Sequence, residues 1–512
     1  MRYLASPYRS FNGGRVLLFL LLFLLAIYNF ITAGFSAFAI VCILPILALI
    51  VCITFHSPMF IFWTLVIANF FIMWHHDFSI PIPISVINEL LEIILLVMAI
   101  INIQDSKFNR TISLMFLMLI IWCGFCTIEA LNDTCDLGIN IGAWYMGTRL
   151  MAFQLLYAFL VFTIYISTPE RVTKYLYVWG ALALFAAFWI WKQKYIGMTS
   201  AEERWLYGPG RVTHVIQGGT LIRYFSLYSD AANYGVGTAS TAVAFIIFGI
   251  TSKIKRIKLF FYIVGIACAW AMFPTGTRTA IVCFIAGLMA YVFLSKSFKI
   301  AIPFTIIFGI IIGLLAFTTI GNSNSQIRRM RSAFDKNDAS SETRRINQKA
   351  IKKYMKEAPW GLGIGLYNVS VPANNKYTKV VNTPSDSEYV SIWVRTGAIG
   401  ITTFLICTAI MILGACWIVF FRLRSPSLRG IGAGLTCAMI SQQLGGYGNM
   451  VLMQFPNCLI FYGGLSIVYV LPWIEQEWIE WENKELALIE EKKRLKQEKR
   501  EKSRVRTWLT WK

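Results

Sequence analysis

The sequence predicts an all-α fold, a polytopic membrane bundle of about fourteen transmembrane helices. Two observations lead there. Of 512 residues, 57% are hydrophobic and 14% charged, with a mean hydropathy of +0.60; soluble domains carry about 25% charged residues. The apolar residues are also gathered into long runs, such as Leu17 to Phe30 and Leu259 to Phe273. Each run is about long enough to cross some 30 Å of hydrocarbon, where a backbone must be helical to satisfy its own polar groups.

Taken in order, the spans are expected to begin near Val16, Phe35, Met59, Ile84, Thr111, Leu150, Lys174, Tyr234, Lys258, Thr279, Phe298, Tyr389, Gly430 and Val451, the last ending near Trp473. The first run follows Arg2, Arg9 and Arg15, lacks a clear small-residue cleavage site and leads directly into a second span. It is therefore read as a span, not a signal peptide. With the N-terminus in the cytoplasm, the basic short loops all fall inside: Lys107 with Arg110, Arg171 with Lys174, Lys253 to Lys258, Lys296 with Lys299, and Arg422 to Arg429. The loop carrying Glu129, Asp133 and Asp136 falls outside, as does the turn His75-His76-Asp77. This is the positive-inside pattern, and it makes both termini cytoplasmic.

Residues 1–474 are thus expected to form the transmembrane bundle, with long periplasmic loops at about 192–233 and 321–388. Residues 475–512 are expected to form a cytoplasmic, charged helical tail with i,i+4 pairs such as Glu490 with Arg494. The loops contain Trp205, Tyr207, Trp360 and Tyr367 among several glycines, a composition suited to packed structure. Loops of such length on a compact bundle are usually functional or disordered.

The net charge of +21 reflects cations in inward loops. No basic stripe is interleaved with exposed aromatics, so nucleic acid is not an expected partner. The eleven cysteines lie mostly inside apolar runs, where they act as small hydrophobes. Cys126 and Cys135 flank one outward loop at a spacing open to a disulfide. No CxxC pair or His/Cys cluster suggests a metal site, and no cofactor signal is present.

The outer face breaks the charge rule. It carries Arg149, Arg211, Arg223, Arg278, Arg328, Arg329, Arg331, Arg344 and Arg345. Guanidinium presents a planar fork of donors suited to phosphate, so the set suggests a lipid-linked phosphate or diphosphate ligand, against interfacial snorkelling for any single member. Arg278 stands in the turn Pro274-Thr-Gly-Thr-Arg-Thr-Ala280. Asp230 and Asn233 precede a span as helix caps whose N–H groups would face an anion. Arg344 and Arg345 open an amphipathic helix stopped by Pro359 and followed by Gly361-Leu-Gly-Ile-Gly365. That glycine run follows no strand, which excludes a dinucleotide fingerprint.

Four blocks in this order resemble the O-antigen ligase and O-antigen polymerase superfamily, membrane glycosyltransferases of the C-type architecture. They are Arg223 to Gly235, the turn Gly276-Thr-Arg-Thr279, Arg344 to Gly365, and Asp386-Ser-Glu-Tyr-Val followed by Gly397-Ala-Ile-Gly400. The resemblance is close from Arg223 to Gly400 and elsewhere extends only to hydrophobic topology. It implies a donor glycan on undecaprenyl diphosphate, held on the periplasmic side by Arg149, Arg211, Arg223, Arg278, Arg344 and Arg345 without a metal. The acceptor would be a hydroxyl on another glycan or on lipid A-core. Where the family usually has a histidine, this chain has Asp386, which leaves Asp386 or Glu388 as general base, with Arg278 completing the catalytic set. Trp205, Tyr207 and Trp360 are candidates for stacking on sugars. Ligase and polymerase are not separated. The alternative is a polysaccharide flippase or other transporter, for which Glu89 and Glu92 are the main charges found within a span.

Overall fold

The computed structural model describes residues 57–76, 85–104, 107–216, 221–296 and 339–509, with isolated positions at 21, 24 and between 302 and 331. The spans expected near Val16, Phe35 and Phe298 lie outside the described residues, as does Arg329. The chain divides into two compact units, 1–64 and 65–512. Of the first unit, the described part is the start of helix α1 (Pro58–Phe71) together with Ser57, Leu21 and Leu24.

The second unit is overwhelmingly helical. In chain order come α2 (Ser85–Ile101), α3 (Leu114–Ile128), α4 (Ile141–Thr148), a π turn (Arg149–Phe153), α5 (Gln154–Tyr165), α6 (Pro169–Tyr195), α7 (Ser200–Tyr207) and α8 (Arg211–His214). The minimal hairpin β1 (Val215–Ile216) and β2 (Leu221–Ile222) follows. Then come α9 (Ala231–Thr251), α10 (Lys255–Ala271), α11 (Arg278–Leu294), α12 (Ala339–Met355), α13 (Thr378–Val381), α14 (Glu388–Trp417), α15 (Pro426–Gly448) and α16 (Asn457–Leu509). Among the described residues, seven helices are long and apolar enough to cross a membrane, and α1 and α11 are shorter apolar helices. This is a membrane protein of helical-bundle type. Cys126 and Cys135 are free, buried thiols and form no disulfide.

Helix starts follow from capping residues, which accept bonds from otherwise unpaired first-turn amides. Ser113 accepts from Phe116 N (3.3 Å), Asn140 from Ala143 N (2.9 Å) and Thr168 from Arg171 N (3.4 Å), the last with Pro169 at the first helical position. Thr199 and Glu202 form a reciprocal capping box on α7.

Helix α9 is the axis of the bundle, buried along nearly all its length. Hydrocarbon gives little drive for apolar surfaces to pair, so helices in lipid associate through close packing and interhelical hydrogen bonds. Both are present. Gly237 lets the Asn457 amide approach, and Gly434 lets Phe248 approach. Ser441 Oγ donates to Cys283 O (2.9 Å), and Asn457 Nδ2 donates to Asn233 O (2.9 Å). Such bonds contribute about 0.6 kcal/mol each.

At the end of α9 opposite Asp230, Lys253 pairs with Glu482 of α16 at 2.7 Å. Glu475 Oε1 accepts from Arg424 N (2.6 Å) and Ser425 N (2.7 Å). The basic connections α9–α10 and α14–α15 therefore share one end of the bundle, and the loops before α9, α11 and α14 share the other. Helix α16 runs through Pro472 into the charged tail as one helix of 53 residues.

Candidate active site

The segment before α9 is built around Arg223. Helix α6 supplies Gln193, whose side chain accepts from Ser226 N (2.9 Å) and donates to Ser226 O (3.1 Å). Ser226 takes a positive φ of 55°, so the chain turns sharply between β2 and α9. Arg223 N donates to His214 O (2.9 Å), which extends the hairpin by one rung. The guanidinium is then held on three sides, donating from Nε to Thr275 O (3.1 Å), from Nη1 to Thr213 O (2.9 Å) and from Nη2 to Thr277 Oγ1 (3.0 Å). Thr275 and Thr277 belong to the turn that carries Arg278. Thr277 Oγ1 donates onward to Ala231 O (2.8 Å), tying that turn to the start of α9.

The first amides of α9 are all engaged within the protein. Asp230 accepts from Ala232 N (2.7 Å) and Asn233 N (2.9 Å), and His214 Nε2 accepts from Ala231 N (3.0 Å). Asp230 is thus the cap. Asn233 sits in the first turn and sends its side-chain amide to Phe455 O (2.8 Å). Burial, then the charge of Arg223, holds His214 at about 4, so it is neutral near pH 7. Burial lowers Arg223 to about 10; Asp230 opposes the shift, while Arg278 and Arg344 add to it. Arg223 therefore lies within the fields of both Arg278 and Arg344.

The opposite wall comes from the glycine-rich block after α12. Gly397 interrupts α14 at φ 68°, and Gly361 stands at φ 82°, a region that side chains disfavour. A Cβ on either would collide with the other's backbone. Leu362 N donates to Val394 O (2.9 Å) and Gly363 N to Arg395 O (2.9 Å), so the loop is stitched into the interrupted helix. Arg395 is fixed there with its guanidinium carbon 4.9 Å from the Tyr367 ring centroid. Asp386 precedes α14 at φ 53°, a conformation that Asp tolerates better than most residues. It accepts from Asn347 Nδ2 (3.1 Å).

Between the walls lies a cavity of about 680 Å³, lined by Arg223, Arg344, Arg395, Asp230, Asp386 and His214, with Trp205 and Tyr367 as aromatic surface. At the side of Arg344, a Cβ on Gly448 would stand 3.7 Å from its Nη1. Asp386, Arg223, Arg344 and Asp230 are thus brought together. Arg278 does not line the cavity; it stands beside Thr277, which holds Arg223.

The other expected residues lie elsewhere. Glu388 is buried and accepts from Leu452 N (3.0 Å). Arg149, in the π turn, is buried 2.8 Å from Glu89, off the hydrogen-bond axis, and donates to Ser85 Oγ. Arg345 is exposed and pairs with Glu342 (2.9 and 2.6 Å), and Arg211 is exposed at the start of α8. Of the aromatic candidates, Trp205 reaches the cavity with one face stacked on His75 (4.2 Å), while Trp360 stacks on Phe125 (6.1 Å) and Tyr207 is exposed. Arg395 and His214 are cavity residues that sequence reasoning did not single out, and Tyr367 was read there only as part of a packed loop. For Arg395 a signal existed: an arginine inside an apolar run is expensive unless it serves a site. Among the described residues, no group of three or more His, Cys, Asp or Glu side chains could hold a metal ion.

Compared with known families, residues 263–405 match the family model described as O-antigen ligase. The match covers the Arg278 turn, Arg344 to Gly365, and Asp386 to Gly400, and supports the O-antigen ligase/polymerase superfamily. No curated protein matches the chain.

Proposed function

From the place of residues 263–405 in the O-antigen ligase/polymerase superfamily, we propose that this chain is a membrane glycosyltransferase acting on an undecaprenyl-diphosphate-linked glycan. One observation carries the reading: Arg223, Arg344 and Asp386 line one cavity, with the Arg278 charge felt at Arg223. That cavity lies at the end of α9 away from the basic loops. By the positive-inside rule this end is periplasmic, in an inner-membrane bundle of about fourteen spans with both termini cytoplasmic.

In the proposed reaction, Arg223 and Arg344 hold the diphosphate, and Arg278, beside Thr277, adds its charge to theirs. Asp386 accepts the proton of an acceptor hydroxyl as its oxygen attacks the anomeric carbon. The anomeric C–O bond to the diphosphate breaks, and the guanidinium groups stabilise the charge that gathers on the departing lipid diphosphate. Arg223 arrives pre-positioned, because its three hydrogen bonds go to carbonyls and a hydroxyl and leave its charge uncompensated by direct pairing. The acceptor is another lipid-linked glycan or lipid A-core. Arg149, Arg211 and Arg345 are left out of the donor site because none lines the cavity.

The test uses purified full-length protein and a lipid-linked oligosaccharide. Release of lipid diphosphate with a glycosylated acceptor is expected, and Arg278→Ala should abolish it while the protein still inserts. Movement of the lipid between leaflets without cleavage would instead identify a flippase and overturn the proposal.

A further inference from the structure

Positive charge in the cavity is not confined to the Arg223 end. Arg395 lies about 10 Å along α14 from Glu388, at 1.5 Å per residue, and also lines the cavity. Its backbone is pinned by Gly363 N, and its guanidinium carbon lies over the Tyr367 ring, 4.9 Å from the centroid. Its Nε is buried and, among the described residues, has no hydrogen-bond partner. The nearest carboxylate on its own helix, Glu388, is occupied by Leu452 N. The two cationic centres are built from different elements: Arg223 is held by Thr213, Thr275 and Thr277, whereas Arg395 is held by Gly363 and Tyr367. A buried donor on a cation with no acceptor is costly unless a ligand supplies one.

We propose that Arg395, held over the Tyr367 ring, is a second anion subsite that receives a carboxylate or phosphate substituent of the glycan, so that the protein selects an acidic sugar. The inference rests on the glycosyltransferase reading for the other end of the cavity. The ring holds the cation in place without taking its N–H donors, and the unpartnered Nε belongs to a planar fork that matches two oxygens of either group. An aromatic ring beside that fork suits a sugar whose apolar face lies against it.

The test measures binding to full-length protein in nanodiscs of four probes: farnesyl diphosphate, and farnesyl diphosphate bearing glucose, glucuronic acid or glucose 6-phosphate. Wild type should prefer the glucuronic or the phosphorylated probe over the glucose probe by about tenfold or more, as expected for charged hydrogen bonds. Whichever is preferred identifies the substituent. Arg395→Gln should erase the preference while still binding farnesyl diphosphate, which also shows that the variant is folded. Arg395→Lys should restore part of it. Equal binding of all three sugar probes by wild type, or a preference that survives in Arg395→Gln, overturns the proposal. If Arg223→Gln leaves farnesyl diphosphate binding unchanged, the donor-site reading fails instead, and the two failures are distinguishable.

Discussion

Acidification from pH 7 to pH 5 should loosen the attachment of the 208–216 segment to α9. His214 Nε2 accepts the Ala231 amide at 3.0 Å, so that nitrogen must be unprotonated for the bond to exist. The imidazole titrates at about 4 in the folded protein against an ordinary 6.5, because it is buried and faces Arg223. A folded pKa below the unfolded one means that the native state binds fewer protons between the two values. The stabilisation is complete above about 6.5 and is lost as pH falls toward 4. Between pH 7 and 5 the loss is about 2 kcal/mol, or about twentyfold in the equilibrium for local opening. Amide hydrogen exchange at Ala231, corrected for the intrinsic pH dependence of exchange, should show protection falling by about that factor. His214→Gln, whose side-chain oxygen can accept the same N–H, should show a flat profile. Unchanged protection in wild type at pH 5, or an equal fall in the Gln variant, would refute the reasoning.

Asp386→Asn should lower transfer about a hundredfold or more with little change in thermal stability. Glu388→Gln should cost about 1 kcal/mol of stability through the weakened Leu452 bond; if it is instead the change that removes turnover in a stable protein, the base is Glu388. Gly361→Ala places a methyl group against the Arg395 and Gly397 backbone, and thermal melts should show a loss above about 3 kcal/mol. Arg149→Leu strands Glu89 in a buried setting and should cost about 3–5 kcal/mol. The double variant with Glu89→Leu should recover most of that and bind farnesyl diphosphate as wild type does.

Much of the scaffold was legible because lipid imposes one rule on every span. The expected starts at Met59, Thr279 and Tyr389 fall within one residue of the observed helices at Pro58, Arg278 and Glu388. Asp230 was legible as a cap because capping is local. Tertiary partnerships were not. Nothing near Arg149 in the chain announces that Glu89, on another helix, will neutralise it. Arg395 stands in a hydrophobic run, and only the folded glycine loop shows that it borders the cavity. The hairpin that presents Arg223 has two residues per strand, too few to show alternation. The mutual exclusion of Gly361 and Gly397 is invisible until the chain brings them together; read singly, each is an ordinary loop or helix glycine.

Helix α16 begins at Asn457, whose amide grips Asn233 one turn below the capped start of α9. It is anchored again at Glu475 and Glu482. Beyond Trp473 it continues for roughly 50 Å at 1.5 Å per residue. Such an element behaves as a mast stepped against the first turn of α9. A spin label or fluorophore near Arg494 would swing through a wide arc for a small tilt at Asn457, giving a mechanical gauge of events inside the cavity that can be read from the far end of the molecule.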